Sequence, residues 1–206
     1  MTTASRLGRQ ISELTAVLGN MGARYALIGG LALAPYDVIR ATQDVDLLVD
    51  LENADAIERE LTALGYRSVH RSADAANCVR GDERVDLLYA HRPTAKRLLA
   101  GARTLVTSLG ELRVISSEGL IGFKLQGLTN DPRRTQDLED IRALLRANRE
   151  RLDMAEVREY FRLFDREPLL NELLRELDSV EGRAAGRGRR LSAAGDSCRG
   201  SVPGAR

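Results

Sequence analysis

The chain has 206 residues, 30% of them charged, and a formal net charge of +1. That length suits one domain, or one domain with a helical appendage, and the charge balance gives no whole-chain attraction to a polyanion. Hydrophobic residues make up 43% and aromatic ones only 4%, so Leu, Val, Ile and Ala must fill the core.

Cys78 and Cys198 are too few for a disulfide framework and fit a reducing cytoplasm. No apolar run approaches the length of a membrane span, and Arg6 and Arg9 precede no apolar segment of the secretory kind. The expected location is therefore cytoplasmic, with no membrane partner. Lysine occurs only as Lys96 and Lys124 in a chain that otherwise uses arginine, which singles out each lysine.

Ile11, Leu14, Leu18 and Met21 form one stripe, predicting a helix over residues 5–21 that Gly22 closes. A short apolar strand, residues 25–28, ends at Gly29-Gly30. A helix over residues 31–38 and a strand over residues 45–49 follow. Asn53 is placed to cap a helix running to Leu64, before Gly65. Residues 67–70 read as a strand, 72–76 as loop, and 77–80 as a further strand before the Gly81-Asp82 turn. Residues 84–89 form a strand with Asp86 set among apolar neighbours.

Pro93 opens a helix over residues 93–100, and residues 104–107 and 111–115 make a hairpin about Leu109-Gly110. Ser116 and Ser117 lead into a helix over residues 119–128 that carries Lys124. After the break at Asn130-Asp131-Pro132, helices are expected over 135–149, from Asp153 to Phe164, and from Pro168 to Leu177. Mixed strands and helices followed by helices alone predict an α+β fold: a mixed-sheet core flanked by helices, with a C-terminal helical bundle. The expected division is a core at 1–115, a helical region at 116–180, and a disordered Arg/Gly-rich tail at 181–206. From Gly182 onward the tail holds Arg183, Arg187, Arg189, Arg190, Arg199 and Arg206 against Asp196 alone, and a basic segment of this kind could attract RNA phosphates.

The chemistry concentrates at two places. Asp44 and Asp46 are two residues apart on a strand, so both carboxylates share one face. Adjacent anions repel, and a divalent cation relieves the repulsion; Mg²⁺ takes such oxygen ligands and leaves positions for phosphates. Gly29-Gly30, at a strand end before a helix, offers backbone N–H groups without side chains, where phosphates can approach closely. Asp86 is costly among apolar residues without a partner, whether an arginine such as Arg84 or a metal. Lys124, on a largely apolar helix, either snorkels to solvent or points into a site. In a site, its ammonium could approach a phosphate as a point charge, and its removal is expected to weaken phosphate binding with little loss of stability. His70, His91 and Cys78 show no metal-ligand spacing and are assigned no site.

Gly29-Gly30, the gap, and Asp44-Val45-Asp46 on a strand resemble the signature of the nucleotidyltransferase superfamily of DNA polymerase β type. The wording Arg40-Ala41-Thr42-Gln43-Asp44-Val45-Asp46 is similar to AbiEii-like and MenT-like toxin nucleotidyltransferases, and more distantly to aminoglycoside and lincosamide nucleotidyltransferases. The likeness is specific over residues 25–50, moderate over 80–145, and absent beyond about 180. It implies transfer of a nucleoside monophosphate from an NTP to a hydroxyl, with Mg²⁺, two ions in the usual scheme, on Asp44, Asp46 and Asp86. Asp86 is implied as the third acid, ligand or base. Lys124 is implied to contact the triphosphate, followed in order by Arg133 or Arg134, then Asp137 as an orienting partner, and Asp140. Arg40 and Thr42 belong to the implied nucleotide site with Gly29 and Gly30, although Gly30 stands where many relatives carry Ser. The toxin-type likeness implies an RNA acceptor, tRNA 3′ ends foremost, and a cognate antitoxin. A small-molecule antibiotic is the alternative acceptor, discriminated by an acidic cleft in place of a basic rim. A third reading is an idle nucleotidyltransferase fold acting as a binding partner, against which all four of Asp44, Asp46, Asp86 and Lys124 are present.

Overall fold

The computed structural model describes residues 5–107 and 109–179; the tail at 181–206 lies outside the described residues. Helix α1, Arg6–Asn20, starts where the Ser5 hydroxyl accepts the Gly8 N–H, and it buries Ile11, Leu14 and Leu18. It is followed by β1 (Tyr25–Ile28), β2 (Asp44–Asp50), α2 (Ala54–Ala63), β3 (Arg67–Arg71), β4 (Ala75–Arg80) and β5 (Glu83–Ala90). Then come α3 (Pro93–Ala100), β6 (Arg103–Thr107), β7 (Gly110–Val114), α4 (Ser117–Asn130), α5 (Thr135–Asn148), α6 (Met154–Leu163) and a helix α7 over residues 167–179.

All seven strands form one sheet in the order β3-β4-β5-β2-β1-β7-β6. The central pair β2 and β5 is parallel, as is β1 with β7, and the remaining pairs are antiparallel. Alternation sends Val45, Leu47 and Val49 of β2, with Val85, Leu87 and Tyr89 of β5, to one face. All six are nearly inaccessible to water. The other face carries Asp44, Asp46 and Leu48, with Asp86 and Leu88 beside them. The helices α4 and α5 lie on this second face, and Leu120, Phe123 and Lys124 of α4 stand over it. Ile, Leu, Val and Ala fill the core, and Phe161 is its largest wholly buried side chain.

Three predicted details are corrected. Residues 31–38 do not make an α-helix: the backbone is a 3₁₀ helix, Leu31–Tyr36, with Pro35 inside and Asp37 in the left-handed region at φ 61°. Pro35 has no N–H to donate, and the left-handed residue ends the turn. The segment is held from outside, by the Tyr36 hydroxyl donating to the Ile115 carbonyl at 2.6 Å and by Asn148 Nδ2 donating to the Tyr36 carbonyl at 2.9 Å. Asn53 makes no side-chain cap; Asp50 instead accepts the Glu52 N–H and caps a short 3₁₀ turn before α2. Strand β4 begins at Ala75, inside the predicted loop. The other helix starts hold, with Ser116 capping α4 and Asp153 accepting the Ala155 and Glu156 N–H groups at α6.

Candidate active site

The sheet register brings the acids together. Ile28 of β1 pairs with Asp46 of β2, Asp46 with Asp86 of β5, and Asp86 with Asn77 of β4. In-register neighbours share a face, so Asp46, Asp86 and Asn77 form a row across three strands, with Asp44 one pleat along β2 from Asp46. Asn77 Nδ2 donates to Asp86 Oδ1 at 2.7 Å. Asp86 therefore has a neutral partner, and the pairing with Arg84 is not what occupies it. Asn77 had no signal in the sequence beyond its place on a short strand.

Three carboxylates on one half-buried face carry an electrostatic cost, and it falls on Asp46. Burial, then the Asp86 charge, then Asp44, push its pKa from 3.8 up to about 6, opposed by Lys124 and by the Gly30 N–H. Among the described residues no group of three or more His, Cys, Asp or Glu side chains is arranged to hold a metal ion as it stands. The donor chemistry nevertheless fits a hard divalent cation: oxygen ligands alone, crowded enough that one of them resists ionisation.

Gly29 has φ +66°, and a Cβ there would lie 2.0 Å from Asp46 Oδ2, so only glycine lets β1 turn against the carboxylate. A Cβ on Gly30 would lie 2.8 Å from Arg40 Nη2 and 2.9 Å from Thr42 Oγ1. The Ser common in the resembled relatives would have to move that guanidinium. Gly29, Gly30, Arg40 and Thr42 thus meet on one side of the acid row.

Lys124 neither snorkels nor stands free. Its side chain is 6% exposed, with Nζ 3.1 Å from Asp137 Oδ1 and 2.5 Å from Asp140 Oδ2. Asp137 also binds Arg134 Nε at 2.5 Å, and Asp140 lies 3.3 Å from Arg40 Nε and accepts from Gln136 Nε2 at 3.1 Å. The contacts to Asp140 Oδ2 are ion pairs by distance, since neither that atom nor Arg40 Nε has an aligned hydrogen bond. A buried cation between two buried carboxylates is structural as well as electrostatic, so little loss of stability on its removal is not to be expected. Arg133 points away, exposed and paired with Asp131, so of the two neighbours it is Arg134 that lines the cleft. His70, on exposed edge strand β3 opposite Asn77, and His91, paired with Asp74, do not line the cleft about the acids.

Two connected hollows flank the row. A polar cleft of about 610 Å³ is lined by Gly29, Gly30, Arg40, Thr42, Gln43 and Arg84 along with the acids, Lys124 and Arg134. A more apolar cavity of about 300 Å³ adds Ala75, Asn77, Leu88, Leu120, Phe123 and Gln126. They share Gly29, Asp46, Asp86, Lys124, Arg134 and Asp137.

Neither a protein-family model nor a curated protein sequence matches the chain. Solved structures do. The crystal structure of ANT(2'')-Ia in complex with adenylyl-2''-tobramycin superposes with a TM-score of 0.63 at 18% identity, covering 78% of this chain and 98% of that one. This chain has the nucleotidyltransferase fold. The lincosamide antibiotic adenylyltransferase LnuA, lincomycin-bound, gives 0.52 at 15% identity over 69% of this chain and 98% of its own. An antigenic nucleotidyltransferase-like protein from Paracoccidioides brasiliensis gives 0.51 at 18% identity over 82% and 92%. At these identities the likeness is one of fold. Within the nucleotidyltransferase fold the acid row lies on the two central parallel strands of this chain, beneath α4.

Proposed function

We propose that this protein is an enzyme that moves a nucleoside monophosphate from an NTP to a hydroxyl, with Mg²⁺ at Asp44, Asp46 and Asp86 and an RNA 3′ end as acceptor. The observation that carries the reading is the in-register acid row beside a glycine turn that admits no side chain. Mg²⁺ bound to these carboxylates would neutralise charge on the triphosphate and polarise the attacking oxygen. The Gly29-Gly30 turn, Arg40, Thr42 and Arg134 would bind the phosphates, and Lys124 would stand as a fixed cation toward them. The acceptor oxygen bonds to the α-phosphorus, the bond to the pyrophosphate oxygen breaks, and pyrophosphate leaves with the electron pair. Asn77 engages Oδ1 of Asp86, which leaves Oδ2 to accept the hydroxyl proton.

The charge of the cleft supports an anionic or neutral acceptor. Arg40, Arg84, Lys124 and Arg134 line it against Asp44, Asp46, Asp86 and Asp137, and Asp137 is already engaged by Lys124 and Arg134. Three acids assigned to Mg²⁺ leave none to hold a polycation. The second reading, modification of a small antibiotic, is favoured by the fold likeness to ANT(2'')-Ia and LnuA. The toxin-type wording about Asp44 would add a cognate antitoxin, which co-expression and co-purification would reveal. The deciding experiment incubates α-labelled NTPs and Mg²⁺ with total RNA, tobramycin or lincomycin, using wild type and Asp46→Asn. Label should enter RNA with wild type alone. Label on neither RNA nor the antibiotics would overturn the activity, and label on an antibiotic alone would favour the second reading.

A further inference from the structure

The two hollows differ in chemistry on opposite sides of one reaction centre. Across the sheet the order is Gly29 at the end of β1, Asp46 on β2, Asp86 on β5 and Asn77 on β4. Three strand spacings of about 4.8 Å make this row roughly 14 Å long. In-line displacement requires the attacking oxygen and the leaving pyrophosphate on opposite sides of the α-phosphorus. The polar cleft takes Gly30, Asp44 and Arg84 on one flank of this row, and the apolar cavity takes Leu88 and its β4 partner Ala75 on the other. Phosphates drawn to Gly30 and Arg40 therefore leave the attacking hydroxyl on the Leu88 flank, beside Asp86 and Asn77.

Beyond the residues it shares with the polar cleft, Lys124 and Arg134 among them, that flank is not a polyanion track. Ala75, Leu88, Leu120 and Phe123 give apolar walls, and Asn77 and Gln126 give neutral amides. At about 300 Å³ the cavity is small. It stands at the bottom of the range of roughly 300–1,000 Å³ for ligand pockets, room for one nucleoside-sized unit and not for a multi-ring polycation. RNA ends are recognised by this combination, with an unstacked base laid on an aromatic ring and its edge read by hydrogen-bonding groups. Amides suit that task because each offers both donor and acceptor.

We infer that this cavity is the seat of the acceptor's terminal nucleoside, with Phe123 as the stacking surface and Gln126 and Asn77 reading the base edge. The inference rests on the nucleotidyl-transfer reading above and assigns the acceptor to the apolar side of the acid row. Phe123 is only partly buried on α4, so its ring is available to the cavity.

The test uses the full chain with Mg²⁺ and two probes. One is a single-stranded RNA trinucleotide ending in 2-aminopurine riboside, read by fluorescence quenching. The other is an α,β-methylene NTP, read by calorimetry. Wild type should quench the fluorophore, without competition from tobramycin. Phe123→Leu keeps the apolar volume and removes the ring, and should weaken RNA binding about 5- to 150-fold, the range for one base–aromatic stack. Its affinity for the NTP analogue should change less than twofold, and Phe123→Tyr should bind RNA as wild type does. Equal RNA affinity in wild type and Phe123→Leu would overturn the inference. So would a loss confined to the NTP analogue, which would give the cavity to the nucleotide's own base. Wild type that binds the NTP analogue but quenches nothing would remove the acceptor seat and leave the transfer reading standing. Binding of neither probe would remove both.

Discussion

Replacing Asp46 with Asn should stabilise the protein in the absence of metal while abolishing transfer. Its carboxyl is raised from 3.8 to about 6, chiefly by burial and by the charges of Asp86 and Asp44. The folded chain therefore holds that proton more tightly than the unfolded chain does. Stability falls as pH rises from the unfolded value through the folded one, and the penalty is fully present above about pH 6. At about 1.4 kcal/mol per pH unit, ionising Asp46 in the fold costs about 3 kcal/mol at pH 7.5. At pH 5 the folded group is mostly protonated and the cost drops to about 1.6 kcal/mol. Asn cannot ionise, and its amide oxygen can still accept the Gly30 N–H. Urea denaturation in EDTA at both pH values should show Asp46→Asn more stable by about these amounts. Mg²⁺ should then raise the wild-type melting temperature at pH 7.5 and leave the variant's nearly unchanged. A variant less stable than wild type, or a gain equal at the two pH values, would refute the electrostatic account of the acid row.

Lys124→Ala strands Asp137 and Asp140 in a buried setting and should cost about 3–5 kcal/mol, measurable by chemical denaturation. Lys124→Arg should restore only part of this, because the guanidinium is broader than the ammonium. Gly29→Ala places a methyl group against Asp46 Oδ2 in left-handed backbone and should lose more than about 2 kcal/mol together with all transfer activity, seen by thermal melting and the labelled assay. Asn77→Ala frees Asp86 Oδ1 and should lower kcat about 10- to 150-fold, the value of one hydrogen bond to a charged group, with unchanged affinity for the NTP analogue.

Much of this arrangement was legible because the deciding signals are local. The apolar runs about Tyr25–Ile28 and Asp44–Asp50 mark strands, and the i, i+2 spacing places Asp44 with Asp46 on one face whatever the sheet order. Ser5, Ser116 and Asp153 announce helix starts through caps that depend on neighbours three residues away or fewer. What stayed hidden depends on partners distant in sequence. That Asp86 falls beside Asp46 needs the parallel β2–β5 register, and Asn77 gains its role only because β4 pairs with β5. Residues 31–38 carry helical spacing, yet Pro35 and the external grip of Asn148 and Ile115 on Tyr36 select the tighter 3₁₀ turn. Lys124 stood out by rarity, but its burial follows from α5 delivering Asp137 and Asp140 one turn apart.

The alternation of charge beneath α4 explains how a crowded acid row and an incoming triphosphate can share one cleft. Asp44, Asp46 and Asp86 gather negative charge on the sheet, and Lys124 opposes it from above, lowering the cost of Asp46 ionisation. Lys124 is held there by Asp137 and Asp140, and these same acids hold Arg134 and Arg40 at the edge of the polar cleft. Each cation is thus already positioned before any phosphate arrives. A fixed donor costs no reorganisation when charge develops on the leaving group, whereas a solvated lysine or arginine would first have to be ordered. The network also explains why α5 matters to a site whose acids lie on strands. Shifting Asp137 would loosen Lys124 and release Arg134, and shifting Asp140 would loosen Lys124 and release Arg40. Their contributions should therefore prove non-additive in double-mutant cycles between Asp137 and Arg134 or between Asp140 and Arg40, with coupling of about 0.5–3 kcal/mol. Additive effects across those pairs would mean that the cations act separately.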